Sequence, residues 1–159
     1  MKIGIMGTHG TGKSGFALQL AADLKKKHPG IQVGIVSEIA RNCPFAINKD
    51  TSVEAQLWIY NAQMIAELEA SLKNDIIVCD RTILDGLAYT KEAGFKEIFK
   101  EYFYNALNWL GTYDEIYWCR PKAAIADDGF RDTDQAFQSR IDLIIESWVK
   151  NYKIPVEIV

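Results

Sequence analysis

Short apolar runs alternate with helical patterns along the whole chain, and this alternation limits the fold more than any other feature of the sequence. Apolar runs of strand length are typical of a parallel sheet that helices cover on both faces. A helical pattern follows each of the first four runs, as crossovers between parallel strands require. We therefore predict an α/β fold with five parallel strands, at residues 2–6, 32–36, 75–79, 115–119 and 156–159.

Four helices are predicted from apolar residues spaced three or four positions apart. The stripes are Phe16, Leu20 and Leu24, followed by the basic run 25–27; Val53, Leu57, Tyr60, Met64, Leu68 and Leu72; Phe95, Ile98, Phe99, Tyr102, Ala106 and Leu110; and Phe137, Ile141, Ile144, Trp148 and Tyr152. Thr51 with Glu54, and Asp132 with Gln135, have the spacing of capping boxes at the starts of the second and fourth helices. We expect the stripes to face the core rather than a ligand.

The composition predicts one soluble domain over residues 1–159, since 48% of the residues are hydrophobic and 25% are charged. The net charge of -3 argues against a strongly basic nucleic-acid-binding protein. The longest uncharged segments, 55–66 and 102–113, have 12 residues each, fewer than the roughly 20 that a membrane-spanning helix needs. Without a span or a leader we expect a cytoplasmic protein with no membrane partner. The cysteines form no paired motif and are predicted to be free structural thiols: Cys43, Cys79 and Cys119.

A glycine-rich octet follows the first predicted strand and opens the first helix. It fits G-x-x-x-x-G-K-[ST] and consists of Gly7, Thr8, His9, Gly10, Thr11, Gly12, Lys13 and Ser14. Glycines let the backbone turn its N–H groups inward and the helix N-terminus adds partial positive charge, so the octet predicts a phosphate-binding loop. Lys13 would contact the β- and γ-phosphates of ATP and be hydrated without them, and the Ser14 hydroxyl would coordinate Mg²⁺. The His9 ring could line this site or face solvent.

Three classes of protein carry such a loop: switch GTPases, ATPase motors and small-molecule kinases. A switch GTPase needs a guanine-reading Asn-Lys-x-Asp late in the chain, whereas Asn48, Lys49 and Asp50 come early and have the wrong spacing. An ATPase motor usually has an acidic pair after its metal-binding strand, whereas Asp80 is followed by Arg81. An acid beside an arginine favours a kinase, because the acid can serve Mg²⁺ or the acceptor and the arginine can hold a phosphate.

Four segments together resemble the nucleoside and nucleotide kinase branch of the phosphate-loop proteins. They are the octet; Ser37, Glu38, Ile39, Ala40 and Arg41 after the second strand; Asp80 and Arg81 after the third; and Asp128, Gly129, Phe130 and Arg131, followed by Phe137 and Gln138. The likeness spans nearly the whole chain. It is greatest to the ribosylnicotinamide kinase domain of the bacterial bifunctional NAD regulator and to the small AAA-type ATPases grouped with it.

The resemblance implies a phosphate-loop fold with strand order 2-3-1-4-5, the use of MgATP, and a lid over the phosphates at about residues 120–133. In the related kinases a lid arginine contacts the phosphates, and Arg131 has that place here. Arg120, at the start of the lid, and Thr82, next to Arg81, are added to the predicted nucleotide site. Asp80 with Arg81 is more similar to the deoxynucleoside and thymidylate kinases, so the identity of the acceptor stays open.

The carboxyl ends of the second and third strands carry the candidate acceptor-binding residues, because open α/β sheets bind ligands at this edge. Glu38 can accept the proton of an acceptor hydroxyl, or it can form a structural pair with Arg41. Asp80 is an alternative candidate for the proton acceptor, or it is a ligand of Mg²⁺. Arg81 is a candidate either for binding substrate or for an ion pair with an acidic residue. Aromatic and amide side chains that could enclose a base are Asn42, Pro44, Phe45, Asn48, Trp58, Tyr60, Asn61 and Gln63.

The sequence as a whole predicts an enzyme that uses Mg²⁺ and transfers the γ-phosphoryl group of ATP to a nucleoside, a nucleotide or a related hydroxyl or phosphate acceptor. The predicted catalytic residues are Lys13, Glu38, Asp80 and Arg131, and the predicted acceptor-binding residues are Glu38, Arg41 and Arg81. Two alternatives stay open. One is a kinase for a hydroxyl of a modified base or terminus in a polynucleotide, which the net charge of -3 disfavours, and the other is an ATP-binding regulatory module without a phosphorylated acceptor. The sequence does not determine the oligomeric state.

Overall fold

A computed structural model describes residues 1–122 and 133–159 of the chain. Its strands and α-helices follow one another as β1 (Lys2–Met6), α1 (Lys13–Lys27), β2 (Val33–Val36), α2 (Val53–Ser71), β3 (Ile76–Asp80), α3 (Ile83–Glu92), α4 (Lys96–Leu110), β4 (Glu115–Trp118), α5 (Gln135–Asn151) and β5 (Glu157–Ile158). Two short 3-10 turns, Ile39–Asn42 and Asn48–Asp50, lie between β2 and α2.

The strands form one parallel sheet in the order β2-β3-β1-β4-β5. This confirms the predicted α/β fold and its strand order. The central strand β1 pairs with β3 on one side and with β4 on the other, so that Gly4 stands opposite Cys79 and Ile116. Because neighbouring parallel strands end at the same edge, the segment after β1 lies next to the segment after β3.

Helices cover both faces of the sheet. On one face α1 packs through Ala17 and Ala21 against Ile3 and Ile5 of β1. On the other face α3, α4 and α5 enclose the larger core, in which Leu87, Phe103, Ile141 and Trp148 are buried. The packing explains why the strand sequences are apolar throughout, since β1 and β3 contact helices on both sides.

Helix α3 is present although the periodic patterns do not predict it. It has only 10 residues, and Gly86 in its middle lowers the helix propensity of the segment. Leu84, Leu87 and Ala88 are buried, and contacts within the core stabilise the helix.

Two predicted helix starts differ from the structure. Helix α2 is capped by Ser52, whose Oγ accepts a hydrogen bond from the Ala55 amide at 3.2 Å, and not by Thr51. Helix α5 is capped by Asp134, whose carboxylate accepts hydrogen bonds from the first turn. The predicted cap of that helix, Asp132, lies outside the described residues.

The predicted apolar stripe of α2 is wrong at its end, because Leu68 is 54% and Leu72 is 85% exposed. The buried face of the helix carries polar side chains instead, and Glu67 is only 1% exposed. Glu67 accepts hydrogen bonds of 2.5–2.9 Å from Lys2, Gln63, Trp109 and Tyr113. A buried carboxylate is tolerated when donors surround it, and simple periodicity cannot anticipate such a network.

Among the described residues, none of the helices combines the length and the apolarity that crossing a bilayer requires. The three cysteines are free, and Cys79 and Cys119 are buried, as expected for structural thiols. Burial raises the pKa of the Cys79 thiol, which keeps it protonated and unreactive.

Candidate active site

Residues 7–14 form a tight loop between the carboxyl end of β1 and the first turn of α1. Its backbone requires glycine at two positions. Gly7 has φ +146°, and a Cβ there would fall on the carbonyl oxygen of Cys119. Gly12 has φ +84° and caps α1. These conformations are open to glycine and rare for other residues, so the loop has the compact backbone of an anion-binding turn.

Lys13 lies inside this loop and is only 5% exposed. Its Nζ donates to the carbonyl oxygen of Thr8 and lies 3.4 Å from Thr11 Oγ1. Burial lowers the pKa of Lys13 to about 8, and the guanidinium of Arg81 acts in the same direction. The expectation of a hydrated ammonium is therefore wrong, because the loop supplies oxygen atoms that a bound phosphate would replace.

A cleft of about 210 Å³, counted with the solvent at its mouth, lies beside the loop, and we refer to it as the loop cleft. Its lining comprises His9, Gly10, Thr11, Gly12, Lys13, Ser14, Glu38, Asp80 and Arg81. Asp80 ends β3 and is 5% exposed. Its Oδ1 is buried and has no hydrogen-bond partner among the described residues. A buried carboxylate oxygen in this state is available to a cation.

The loop cleft fits a magnesium ion that is held mainly by substrate. Within residues 1–122 and 133–159, no group of three or more His, Cys, Asp or Glu side chains is arranged to hold a metal. Mg²⁺ in phosphoryl-transfer enzymes needs only one or two protein oxygens, because phosphates and water complete its shell. Ser14 and Asp80, the predicted magnesium ligands, both line this cleft and carry such oxygens.

Glu38 forms the centre of an ion-pair cluster at the carboxyl ends of β2 and β3. Its Oε1 accepts from Arg81 Nε at 2.7 Å and lies 2.6 Å from Arg81 Nη2 in an ion pair, and its Oε2 accepts from Arg41 Nε at 2.9 Å. Burial alone would raise the pKa of Glu38, but Arg81, Lys13 and Arg41 outweigh it and lower the pKa to about 2. Glu38 is therefore ionised at neutral pH, and the predicted pair with Arg41 is present.

Arg81 has an unusual backbone and a nearly buried side chain. Its φ of +112° is rare for a residue other than glycine and costs about 1–3 kcal/mol. Burial acts to lower the pKa of its guanidinium, but Glu38 outweighs burial and raises it above the ordinary value. The guanidinium lies 5.6 Å from the ring centre of Tyr89. Its Nη1 is buried without a hydrogen-bond partner among the described residues, so one donor group of Arg81 is left for a ligand.

Asp85, in the first turn of α3, is a site residue that the sequence patterns miss. It is fully buried, and its two oxygens accept from the Gly7 amide at 3.0 Å and from the Thr82 amide at 2.8 Å. Burial raises the pKa of Asp85 to about 6, although Arg81 and Lys13 oppose the rise. The carboxylate thus joins the first residue of the loop to the turn that follows Asp80. The spacing of Thr82 and Asp85, a capping box, is the signal that would have revealed it.

The His9 ring is buried inside the protein and does not face solvent. Its Nδ1 lies 2.8 Å from Tyr89 Oη, and its backbone amide donates to the same hydroxyl at 3.1 Å. Gln138 of α5 donates to the His9 carbonyl oxygen at 2.7 Å. His9 therefore attaches the loop to α3 and to α5.

A second, larger cleft opens between α2, α3 and the turns after β2, and we refer to it as the apolar cleft. It encloses about 680 Å³, counted with the solvent at its mouth, and it meets the loop cleft at His9, Glu38 and Arg81. Four isoleucines line it together with polar groups: Ile39, Ile47, Ile59, Ile83, Asn48, Gln56, Tyr60, Gln63, Thr82 and Tyr89. Five residues predicted to enclose a base are not in this lining: Asn42, Pro44, Phe45, Trp58 and Asn61.

Arg120, a predicted nucleotide-binding residue, lines neither cleft. Arg120 pairs with Asp142 at 2.9 Å and Glu146 at 3.2 Å and lies 4.3 Å from the ring centre of Trp118, outside both linings. These contacts with β4 and α5 leave its predicted role without support from the geometry. Arg131 and most of the predicted lid, residues 123–132, lie outside the described residues.

Comparison with known proteins agrees with this architecture. A family model described as an AAA domain matches residues 2–159. A deoxyadenosine kinase from M. mycoides has 20% sequence identity and a TM-score of 0.68, with 100% of this chain and 90% of that chain covered. A thymidylate kinase from Ehrlichia chaffeensis has 19% identity and a TM-score of 0.69, with 100% and 91% covered. No curated protein matches the sequence. The two structures share the fold of this chain.

Proposed function

The chain belongs to the AAA domain family, and we propose that it is a kinase that transfers the γ-phosphoryl group of ATP to a nucleoside-like acceptor. The observation that carries this proposal is the junction of the two clefts. Glu38 and Arg81 line both the loop cleft, which has the features of a phosphate site, and the apolar cleft, whose isoleucines and few polar groups are typical of the lining of a small-molecule site. A phosphoryl donor and an acceptor would meet at these two side chains.

The loop cleft would hold the triphosphate. Backbone amides of residues 7–14 and the Lys13 ammonium would bind the phosphates, and Ser14 and Asp80 would hold Mg²⁺, which neutralises phosphate charge when bound. This arrangement gives Asp80 the metal role. It leaves Glu38, whose two oxygens face three guanidinium N–H groups, as the residue nearer the acceptor.

The transfer step needs little covalent chemistry from the protein. The acceptor hydroxyl would donate a hydrogen bond to Glu38, and its oxygen would form a bond to the γ-phosphorus. The bond from that phosphorus to the β,γ-bridging oxygen would break, with its electron pair leaving on ADP. The hydroxyl proton would pass to Glu38 and then to water. Because the pKa of Glu38 is lowered to about 2, Glu38 orients the hydroxyl and receives its proton late, which a loose transition state permits.

Arg81 would neutralise charge during the transfer. Its Nε and Nη2 are occupied by Glu38, and its Nη1 has no hydrogen-bond partner among the described residues. A guanidinium N–H that is already positioned at the junction costs little reorganisation when charge develops on the transferred group.

The test is to supply γ-labelled ATP, Mg²⁺ and a panel of nucleosides, nucleotides and oligonucleotides and to identify the labelled product. The proposal expects label on a nucleoside-like acceptor. Glu38→Gln should lower kcat by about a hundredfold or more while ATP binding survives. Glu97→Gln, on an exposed part of α4, is the matched control and should change nothing. Label that appears only as inorganic phosphate, with every acceptor, would contradict the proposal and favour an ATPase module.

A further inference from the structure

The peptide bond between Arg81 and Thr82 is held at both of its polar atoms. The Arg81 carbonyl oxygen accepts a hydrogen bond from Gln63 Nε2 at 3.3 Å, and the Thr82 amide donates to Asp85 Oδ2 at 2.8 Å. On the other side, Arg81 follows directly after Asp80, the residue at which β3 ends and its pairing with β1 stops. The backbone of Arg81 is therefore constrained from both directions.

These constraints explain how Arg81 keeps an unfavourable conformation. Its φ of +112° is rare for a residue with a Cβ, and such a conformation persists only where the surrounding contacts fix it. The backbone also sets the direction of the side chain, whose Nε lies 2.7 Å from Glu38 Oε1. Rotation of the held peptide bond would relieve the strain and would move the guanidinium away from the junction of the two clefts.

The side-chain amide of Gln63 is fixed in orientation by its two partners. Gln63 is only 4% exposed, and its Nε2 lies 2.8 Å from Glu67 Oε1 and 3.3 Å from the Arg81 carbonyl oxygen. A carboxylate and a carbonyl oxygen can only accept, so the NH₂ group of the amide must face both of them. Each of its two N–H groups thus has a defined partner, and one of these partners is the backbone of Arg81.

Glu67, one turn further along α2, anchors Gln63. Its Oε1 accepts from Gln63 at 2.8 Å and from the Tyr113 hydroxyl at 2.5 Å, and its Oε2 accepts from Lys2 at 2.9 Å and from Trp109 at 2.8 Å. A carboxylate has about four acceptor sites, so these donors fill them. The donors belong to α2, β1, α4 and the segment before β4, and a buried polar network whose members all have partners is rigid.

We infer that Gln63 is a positioning residue for phosphoryl transfer: it holds the carbonyl oxygen of Arg81 and thereby fixes the guanidinium between the two clefts, with Glu67 as its anchor. This inference rests on the proposed function, in which Arg81 neutralises charge on the transferred group. Gln63 also lines the apolar cleft, so direct contact with the acceptor is the competing role. The two roles differ in their kinetics, because a misplaced Arg81 lowers kcat, whereas a lost ground-state contact raises KM for the acceptor.

Steady-state kinetics of Gln63→Met in the full chain separate these roles. Methionine has nearly the volume of glutamine and donates no hydrogen bond. We expect kcat to fall by about tenfold or more, with the KM values for ATP and for the acceptor within about twofold of the parent. Gln63→Asn, whose shorter amide cannot bond both oxygens, should show the same loss and replaces the methionine variant if that variant does not fold. An unchanged kcat, whether or not KM for the acceptor rises, would overturn the inference.

Tyr113→Phe is the matched control for the network itself. It removes a donor from the same oxygen of Glu67 and leaves both hydrogen bonds of Gln63 in place. If Gln63 acts by holding Arg81, this variant loses stability and keeps its kcat within about twofold of the parent. An equal loss of kcat in Tyr113→Phe and Gln63→Met would mean that the network serves only stability, and would overturn the inference.

A double-mutant cycle tests whether Gln63 acts through Arg81. Arg81→Ala alone should lower kcat by about a hundredfold, and adding Gln63→Met should lower it no further, because the group that Gln63 positions is already absent. Losses that multiply in the double variant would show that Gln63 acts by another route and would overturn the inference.

Arginine side-chain NMR tests the same contact without turnover. The Arg81 Nε proton is bonded to the buried Glu38 carboxylate and should exchange slowly with water; Arg81→Lys assigns its signal. Exchange should be about tenfold or more faster in Gln63→Met and unchanged in Tyr113→Phe. Equal exchange rates in Gln63→Met and the parent would overturn the inference even in an active enzyme. Faster exchange in a protein that phosphorylates no acceptor would refute the proposed function and leave the hold of Gln63 on Arg81 standing.

Discussion

At the scale of single residues, the site depends on charged groups that are buried yet paired. Lys13, Glu38, Asp80, Arg81 and Asp85 are all largely withdrawn from water. Burial of a charge is costly, and the cost is offset here by mutual attraction and by backbone donors. Residues with strongly shifted pKa values in a cleft are typical of functional sites, and this cluster has four of them: the pKa values of Lys13 and Glu38 are lowered, and those of Arg81 and Asp85 are raised.

Replacing Lys13 separates function from folding. Because its ammonium is buried and its pKa is lowered, folding gains little from the charge, and Lys13→Ala should keep a melting temperature within a few degrees of the parent. Phosphoryl transfer should fall by at least about a hundredfold, since the β- and γ-phosphates lose their nearest cation. The exposed Lys26 on the same helix gives the control, Lys26→Ala. Near-normal kcat in Lys13→Ala would remove the loop from the mechanism.

Asp80 is predicted to act through the metal. Asp80→Asn keeps the size of the side chain but replaces a charged oxygen, so half-maximal activity should require about tenfold or more Mg²⁺. Titration of the rate with Mg²⁺ at saturating ATP gives the answer. An unchanged Mg²⁺ requirement, with a large loss of kcat, would transfer the role of proton acceptor from Glu38 to Asp80.

Asp85 should give the stability of the protein a distinctive pH dependence. Its pKa is about 6 in the folded chain and 3.8 ordinarily, so between these values the folded state holds a proton that the unfolded state has released. The free energy of unfolding should therefore fall as pH rises through this window, by about 3 kcal/mol at about 1.4 kcal/mol per pKa unit. Lys13 and Arg81, which face Asp85, stay charged throughout. Denaturant unfolding of Asp85→Asn should show a flatter profile, and a slope equal to that of the parent would refute this assignment.

At the scale of elements, the loop of residues 7–14 is hydrogen-bonded to α3 and α5, which are distant from it in sequence. Gln138 of α5 is buried and donates to the carbonyl oxygen of His9 at 2.7 Å. Gln138→Leu leaves that oxygen without its donor, a loss of about 1–3 kcal/mol, and should raise KM for ATP by about tenfold with a smaller effect on kcat. Gln135→Ala, at the exposed start of the same helix, should behave like the parent. Steady-state kinetics that show equal KM values for Gln138→Leu and the parent would exclude this positioning role.

Several elements follow from the sequence and others do not, for identifiable physical reasons. The strands are predictable because continuous apolar runs reflect burial on both faces, and the octet is predictable because its glycines satisfy a specific backbone requirement. Helix α3 is not predictable, because a 10-residue helix with Gly86 in its middle has too little apolar periodicity. Asp85 lies in this helix and was therefore not predicted as a site residue. The buried side of α2 is not predictable either. Gln63 and Glu67 are hydrogen-bonded to each other, and Glu67 also accepts from Trp109 and Tyr113, which are distant in sequence.

At the scale of the whole molecule, topology creates the site. Residues 7–14, Glu38 and Asp80 are separated in sequence and meet because β1, β2 and β3 end at one edge of the sheet. The strand order that brings them together follows from family resemblance and not from periodicity, which locates strands without arranging them. The sequence therefore yields the candidate side chains, whereas the pairing of Glu38 with Arg81 and the shape of the apolar cleft require the folded chain.

The stoichiometry of the reaction tests the central claim most directly. Once an acceptor is identified, ³¹P NMR of a reaction with MgATP measures ADP, inorganic phosphate and phosphorylated acceptor together. The account predicts one phosphorylated acceptor for each ADP, with the new resonance in the phosphomonoester region and little inorganic phosphate. ADP and inorganic phosphate in equal amounts, with no phosphomonoester under any acceptor condition, would contradict the claim that this chain is a kinase.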